Sequence, residues 1–114
     1  MNGIVQIQWT APSLEEARKI STQLVSQRLV ACANLIPSVE SIYLWKGALE
    51  TAQEVKVFLK THRELFPQIR DFIQKNCSYE VPEISCLAFE EGNTAYFEWI
   101  LGSVVDCGSF DDTP

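Results

Sequence analysis

The sequence has few basic residues, and they form no cluster. Nine lysines and arginines stand against fifteen aspartates and glutamates, which gives a net charge of −6. Binding to nucleic acid or to an anionic membrane surface needs concentrated lysine and arginine, so neither is expected as a partner. Cations are compatible with this acidic balance.

Long apolar runs are also missing. No stretch approaches the ~20 consecutive apolar residues that a membrane-spanning helix needs. The opening residues, MNGIVQIQWTAP, lack the basic and apolar regions of a secretory signal peptide. We therefore expect a cytoplasmic protein.

Paired cysteine motifs are absent as well. The cysteines are Cys32, Cys77, Cys86 and Cys107, and no pair has the C-x-x-C spacing of a zinc knuckle or a thioredoxin-type site. In a cytoplasmic chain with an adequate core, free thiols are expected rather than disulfides. With 114 residues, of which 46% are hydrophobic, the chain is long enough to bury such a core as one domain.

Hydrophobic periodicity and capping signals predict the secondary structure. Residues 3–9 alternate between the two faces of a strand. Ser13 and Glu16 have capping-box spacing before one helix, and Thr61 and Glu64 have it before a second. A last strand region is expected in CSYEVPEISCLAF, followed by a short helix in GNTAYFEWILGSV. The candidate core residues of this strand region are Val81, Ile84, Cys86, Leu87 and Phe89.

The resulting order is β-α-β-β-α-β with a C-terminal helix. It is the order of the ferredoxin-like split βαβ unit, an α+β sandwich with two helices on one face of an antiparallel sheet. We expect residues 1–102 to form this domain and residues 103–114 to form an acidic, flexible tail.

Two extended runs, Ala31–Trp45 and Glu50–Lys60, are long for so small a domain, because strands usually have about 5–6 residues. Pro37 cannot donate to a strand ladder and predicts a bulge or bend, and Gly47 predicts the turn. An overhanging hairpin exposes unpaired backbone groups and apolar side chains that must be covered. We therefore predict an oligomer. The side chains expected to be covered by it are Ile42, Leu44, Trp45, Val55, Val57 and Leu59, with Trp45 and Trp99 as interface anchors.

Several stretches, taken together and in order, resemble the CutA family of divalent-cation tolerance proteins. They are WTAPSLEEARKI, RLVACANLIPSVESIYLWKG, EVKVFLKT, YEVPEI and GNTAYFEWI, which run from about Thr10 to Ile100. The resemblance implies a ferredoxin-like protomer in a homotrimer and a role in tolerance to copper and other divalent metals. It implies no settled enzymatic activity, and we expect none.

Cys77, Glu80, Glu83 and Cys32 are the candidate metal ligands. Thiolates suit copper(I) and zinc, whereas carboxylates suit hard cations, so the expected cofactor is copper or another divalent cation. Many family members have His-Pro-Tyr where this chain has Cys77-Ser78-Tyr79, and bacterial members often have a cysteine at the position of Trp9. These two changes weaken the copper site that the resemblance implies.

Structural roles remain open for the same residues. Cys32 fits a small buried hydrophobe on a strand, and the two glutamates fit solvated carboxylates. Tyr79 is expected at a subunit contact, with a buried ring and a solvated hydroxyl.

Two other functions compete with metal tolerance. One is a trimeric signalling or scaffolding module that binds a protein or small molecule in clefts between subunits. The other is a thiol-dependent enzyme in which His62, the one histidine of the chain, activates Cys77 or Cys32. No nucleophile is near His62 in the sequence, which favours an exposed or helix-capping role.

Overall fold

The computed structural model describes residues 2–105 as one antiparallel sheet with helices packed against it. The elements are β1 (Ile4–Ala11), α1 (Leu14–Ser26), β2 (Cys32–Trp45), β3 (Ala48–His62), α2 (Phe66–Asn76), β4 (Ile84–Ala88) and α3 (Thr94–Ser103). The sheet has four strands in the order β2-β3-β1-β4. The predicted α+β class, element order and antiparallel sheet are confirmed.

The main core lies between α1, α2 and one face of the sheet. Side chains alternate along each strand, so Ile7 and Trp9 on β1 share this face with their neighbours Leu59 and Val57 on β3. All four are fully buried. The core is completed by Ala11, Ala17, Ile20, Leu24, Leu29, Val30, Val55, Leu65, Ile69, Ile73, Cys77 and Val104.

The β2–β3 hairpin extends well beyond the rest of the sheet. Strand β1 pairs with β3 only between Val55 and His62, so residues 39–54 project past the edge of β1. The register shift between Ile36 and Val39 confirms the bulge predicted at Pro37. The hairpin is therefore the main reason that the molecule measures 53 Å along its longest axis against 26 Å and 22 Å along the others.

The hairpin closes through a tight turn at Lys46 and Gly47. Trp45 pairs with Ala48, and the two residues between them have φ angles of 53° and 85°. Positive φ at both positions is the geometry of a type I′ turn, whose twist matches that of the flanking strands. The turn predicted at Gly47 is confirmed.

Strand pairing overrides one of the two predicted helix caps. The hydroxyl of Ser13 accepts the N–H of Glu16 at 3.2 Å, as expected for α1. Thr61, in contrast, lies inside β3, and its buried hydroxyl donates to the carbonyl of Leu29 at 2.7 Å. His62 takes the capping role, because its Nδ1 accepts the N–H of Glu64 at 3.1 Å before a single 3₁₀ turn leads into α2.

Several side chains expected at an oligomer surface or in the core are elsewhere. Val55, Val57 and Leu59 were predicted to face a partner, but they are buried in the core of this chain because β1 and the helices cover that part of β3. Ile42 and Leu44, beyond the edge of β1, are exposed as predicted. Val81, Cys86 and Leu87 were expected in the core and are exposed.

Packing continues past Gly102 to the end of the described chain. Val104 is buried, and the N–H of Val105 donates to the carbonyl of Arg28 at 2.7 Å. The predicted tail is described only as far as Val105, and residues 106–114, with Cys107, lie outside the described residues. No helix within residues 2–105 combines the length and apolar character needed to cross a membrane.

Candidate functional site

A groove of about 660 Å³ lies at the base of the hairpin, between β3 and the loop that joins α2 to β4. We call it the hairpin groove. Glu50, Glu54 and Lys56 share one face of β3, opposite the core residues Val55 and Val57, so these charged side chains are directed away from the core. The groove is lined by Thr10, Ser41, Tyr43, Trp45, Glu50, Glu54, Lys56, Tyr79, Glu80, Val81 and Glu83.

Glu83 is held in the groove by a lysine and a threonine. The Nζ of Lys56 lies 2.5 Å from its Oε1 and 3.0 Å from the Oγ1 of Thr10, which donates to the same Oε1 at 2.7 Å. Partial burial raises the pKa of Glu83, but the hydrogen bonds from Lys56 and Thr10 outweigh it and lower the pKa below its ordinary value. Glu83 is therefore an ionised carboxylate that already has protein donors.

Tyr79 and Glu54 join the loop to the hairpin. The hydroxyl of Tyr79 donates a short hydrogen bond to the Oε2 of Glu54, a buried side chain. Burial raises the pKa of Tyr79, and the hydrogen bond to the Glu54 carboxylate raises it further, so the phenol stays protonated. The Tyr79 hydroxyl, which was expected to be solvated, is therefore hydrogen-bonded within the chain.

Cys77 lies outside the hairpin groove, at the end of α2. The Cys77 side chain is buried, and the backbone N–H of Cys77 donates to the carbonyl of Ile73 at 2.8 Å. Burial raises the pKa of the Cys77 thiol, and the neighbouring Glu16 carboxylate adds to the rise. A soft metal needs the thiolate, so these surroundings disfavour Cys77 as a ligand within one chain.

Cys32 is separated from the other candidates as well. Its half-buried Sγ lies 3.8 Å from the hydroxyl of Tyr96 on α3. It lines a second, mostly apolar groove of about 510 Å³ between α1, β2 and Trp99. The fold therefore brings Glu80 and Glu83 into one groove and leaves Cys77 and Cys32 in two other places.

The candidate ligands do not form a complete metal site within one chain. Among residues 2–105, no three His, Cys, Asp or Glu side chains are grouped closely enough to hold a metal ion. Carboxylates are the donors that the groove does supply, and these suit hard divalent cations better than copper(I). A site with more ligands would need groups from a second chain or from solvent.

Within residues 2–105, His62 acts as a helix-capping side chain. Its Nδ1 is occupied by the N–H of Glu64, and burial lowers the pKa of the imidazole. The side chain also fills the space next to Gly3, where an added Cβ would lie 2.3 Å from its Nε2. These contacts describe a structural residue at the end of β3, as the capping alternative proposed.

Sequence reasoning missed most of the groove. It selected Glu80 and Glu83 as candidate ligands and gave no functional role to Glu50, Glu54, Lys56 or Thr10. The available signal was the repeated charge at alternate positions of β3, on the face away from the core. Charged residues at this spacing on a long hairpin mark a polar surface that the helices do not cover.

Comparisons with known proteins converge on one family. A sequence model described as CutA1 divalent ion tolerance protein matches residues 5–103. The human protein CutA is 42% identical over 91 residues, which is 80% of this chain and 51% of the human protein. The divalent-cation tolerance protein CutA of Thermus thermophilus is 41% identical over 91 residues, which is 80% of this chain and 88% of that protein. The chain thus spans about half the length of the human relative and most of the bacterial one.

Solved structures share the fold as well. The divalent cation tolerance protein Cut A1 from Thermus thermophilus superposes with a TM-score of 0.86 at 36% identity, covering 90% of this chain and 99% of that one. CutA1 from Oryza sativa superposes with a TM-score of 0.88 at 30% identity, covering 90% and 94%.

Proposed function

Because the chain belongs to the CutA1 family of divalent ion tolerance proteins, we propose that it supports tolerance to divalent cations by binding them as a cytoplasmic homotrimer. The family name supports the general role, and names a tolerance protein rather than an enzyme. Cation binding and the trimer are the parts proposed here. With a net charge of −6, neither nucleic acid nor a membrane is a proposed partner.

The observation that supports cation binding most directly is the acidity of the hairpin groove. Glu80 and Glu83 line it together with Glu50 and Glu54, against the single cation of Lys56. Glu80 and Glu83 would hold a hard divalent cation, with Lys56 giving up its contact to Glu83. Cys77 and Cys32 would contribute to copper binding only after their thiols lose a proton.

The homotrimer is supported by the exposed apolar side chains of the projecting hairpin. Leu44 and Leu49, which pair across its two strands, are 71% and 72% exposed in the single chain, and Ile42 is exposed beside them. A soluble monomer rarely leaves such a contiguous patch in water. A closed ring of identical chains covers the patch on every protomer, and the family resemblance implies three of them.

Titration of the reduced protein tests direct metal binding. We expect isothermal titration with Cu(I), Cu(II), Zn²⁺ and Mg²⁺ to show a divalent cation bound more tightly than about millimolar, and Glu80→Gln to weaken it. Glu98→Gln, on the exposed side of α3, is the matched control and leaves binding unchanged. Cys77→Ser and Cys32→Ser separate a thiol contribution from a carboxylate one. Failure of every metal to bind more tightly than about millimolar would remove the metal-binding proposal.

The hairpin groove favours a second candidate function, a module that binds a small molecule. Its volume of about 660 Å³ lies within the range of about 300–1,000 Å³ typical of small-molecule sites, and Tyr43 and Trp45 contribute aromatic surface. The two functions differ in their response to a chelator. A bound small molecule that stays with the protein during dialysis against EDTA supports the small-molecule module. A bound molecule that is lost when EDTA removes metal ions supports the metal function.

A further inference from the structure

We propose that the hairpin groove binds an alkylammonium ion, an organic cation whose positive nitrogen carries carbon substituents. The proposal gives a ligand class to the small-molecule site suggested above and does not depend on metal binding. It is carried by the charge, the aromatic surface and the size of the groove.

The lining of the groove has an excess of negative charge. Its four glutamates face one lysine, and Lys56 is already paired with Glu83 at 2.5 Å. Glu54 is hydrogen-bonded to Tyr79, a neutral phenol that adds no positive charge to the groove. The charges of Glu50, Glu54 and Glu80 therefore have no cation among the lining residues, and a ligand with positive charge is favoured there.

The aromatic surface distinguishes an organic cation from a metal ion. Tyr43 lies directly opposite Glu50 in the β2–β3 register, which places an aromatic ring and a carboxylate side by side on one face of the hairpin. Trp45 follows on the same face, two residues further along β2. Carboxylates attract any cation, but the faces of aromatic rings attract an ammonium group and its attached carbons together.

The chain itself places an ammonium group against this surface. The Nζ of Lys46 lies 5.7 Å from the centre of the Trp45 ring, within the range of a cation–π contact. Lys46 is not among the residues that line the groove, but its contact shows that the Trp45 ring accepts an ammonium group. A volume of about 660 Å³ also exceeds what a single metal ion needs and fits a small organic molecule.

Choline and its uncharged carbon isostere, 3,3-dimethylbutan-1-ol, test the proposal on the full chain in its own assembly. The two probes have nearly the same shape and differ in charge. We expect calorimetry to show choline binding, with the alcohol weaker by about tenfold or more and choline weakened by added salt. Equal affinity for both probes, or no choline binding below about 10 mM, overturns the proposal.

Four variants localise the choline site. Trp45→Leu is expected to weaken choline binding by about threefold to thirtyfold, and Glu50→Gln by about twofold or more. Lys46→Met removes a positive charge beside Trp45 that repels a cationic ligand, so it should strengthen binding. Trp99→Leu is the matched control, because Trp99 is 49% exposed and Trp45 47%, and it lies outside the hairpin groove.

The outcomes separate this proposal from the metal function. If Trp45→Leu changes the assembly of the protein, the opposite effects of Lys46→Met and Glu50→Gln still decide the question. Equal effects of Trp45→Leu and Trp99→Leu, or weaker binding by Lys46→Met, would overturn the site. A metal titration that succeeds while choline fails overturns only the alkylammonium proposal, and the reverse result overturns only metal binding.

Discussion

Tyr79 and Glu54 illustrate how single side chains hold the loop that carries two of the candidate ligands. Glu54 is a buried carboxylate at the base of the hairpin, and the Tyr79 hydroxyl supplies its hydrogen bond. Glu80 follows Tyr79 directly, and Glu83 is fixed three residues later by Lys56 and Thr10. The position of the acidic loop therefore depends on contacts to β1 and β3.

Tyr79→Phe is expected to destabilise the protein by about 1–3 kcal/mol, because it leaves a buried carboxylate without its donor. Urea unfolding at one fixed protein concentration measures the change, since an oligomer's stability depends on concentration. Tyr43→Phe, which removes a hydroxyl from an exposed tyrosine of the same groove, should have a much smaller effect. Equal losses in the two variants would contradict the role of the Tyr79 hydroxyl.

Glu83 predicts a dependence of stability on pH. Its pKa is lowered in the folded state from the ordinary value of 4.5, so its contribution is present above that value and is lost as the pH falls through the folded pKa. The stability of the wild type relative to Glu83→Gln should therefore decrease between about pH 7 and about pH 3. Urea unfolding of both proteins across this range measures the difference. A constant difference would show that the Lys56 and Thr10 contacts do not favour the ionised carboxylate.

The hairpin is the element that most distinguishes this fold from a minimal βαββαβ sandwich. Its type I′ turn sets the register, and the bulge near Pro37 changes the pairing from Ile36–Lys56 to Val39–Glu54. After the bulge, odd-numbered residues of β2 share a face with even-numbered residues of β3. The bulge therefore puts the two aromatic rings of the groove on the same side as its carboxylates.

Gly47→Ala is expected to destabilise the hairpin by about 1 kcal/mol, because φ at this position is 85° and an added Cβ strains it. Because the space around Gly47 is open, the loss of stability arises from backbone strain and not from a steric clash. Gly102→Ala is the control, since Gly102 lies within α3, where alanine favours the helix by up to about 1 kcal/mol. Urea unfolding should give changes of opposite sign, and equal changes would contradict the turn geometry.

At the scale of the whole molecule, the fold is elongated by its projecting hairpin. The helices α1 and α2 cover one face of the sheet, while the projecting hairpin has apolar side chains that are largely exposed. In the proposed oligomer every protomer would present the same hairpin, so a second copy of the chain would be the matching partner. The prediction of an oligomer therefore rests on the surface of the whole molecule and not on any single residue.

Leu44→Asp is expected to convert the oligomer into monomers, because a charge replaces an apolar side chain at the proposed contact. Size-exclusion chromatography with light scattering should show about three times the chain mass of 12.9 kDa for the wild type and a single chain mass for the variant. Gln27→Asp, at an exposed position after α1, should leave the assembly intact. A wild type that stays monomeric at micromolar concentration would contradict the trimer.

Local signals in the sequence determined the order of elements, the first helix cap, the bulge at Pro37 and the turn at Gly47. Such features depend on side-chain alternation, capping spacing and backbone preferences within a few residues. The misassigned cap at Thr61 shows the limit of this reasoning, since pairing with β1 carried β3 through a position whose local spacing favours a helix start.

Only the tertiary structure determined which residues form the hairpin groove. Thr10 and Glu83 meet in it although 73 positions separate them along the chain, and Lys56 joins them from a third element. The same packing separates Cys77 from Glu80 and Glu83, although they are neighbours in the sequence, because the thiol turns into the core at the end of α2 while the loop turns towards the hairpin. Long-range strand pairing and helix packing fix which side chains converge, and no local pattern contains that information.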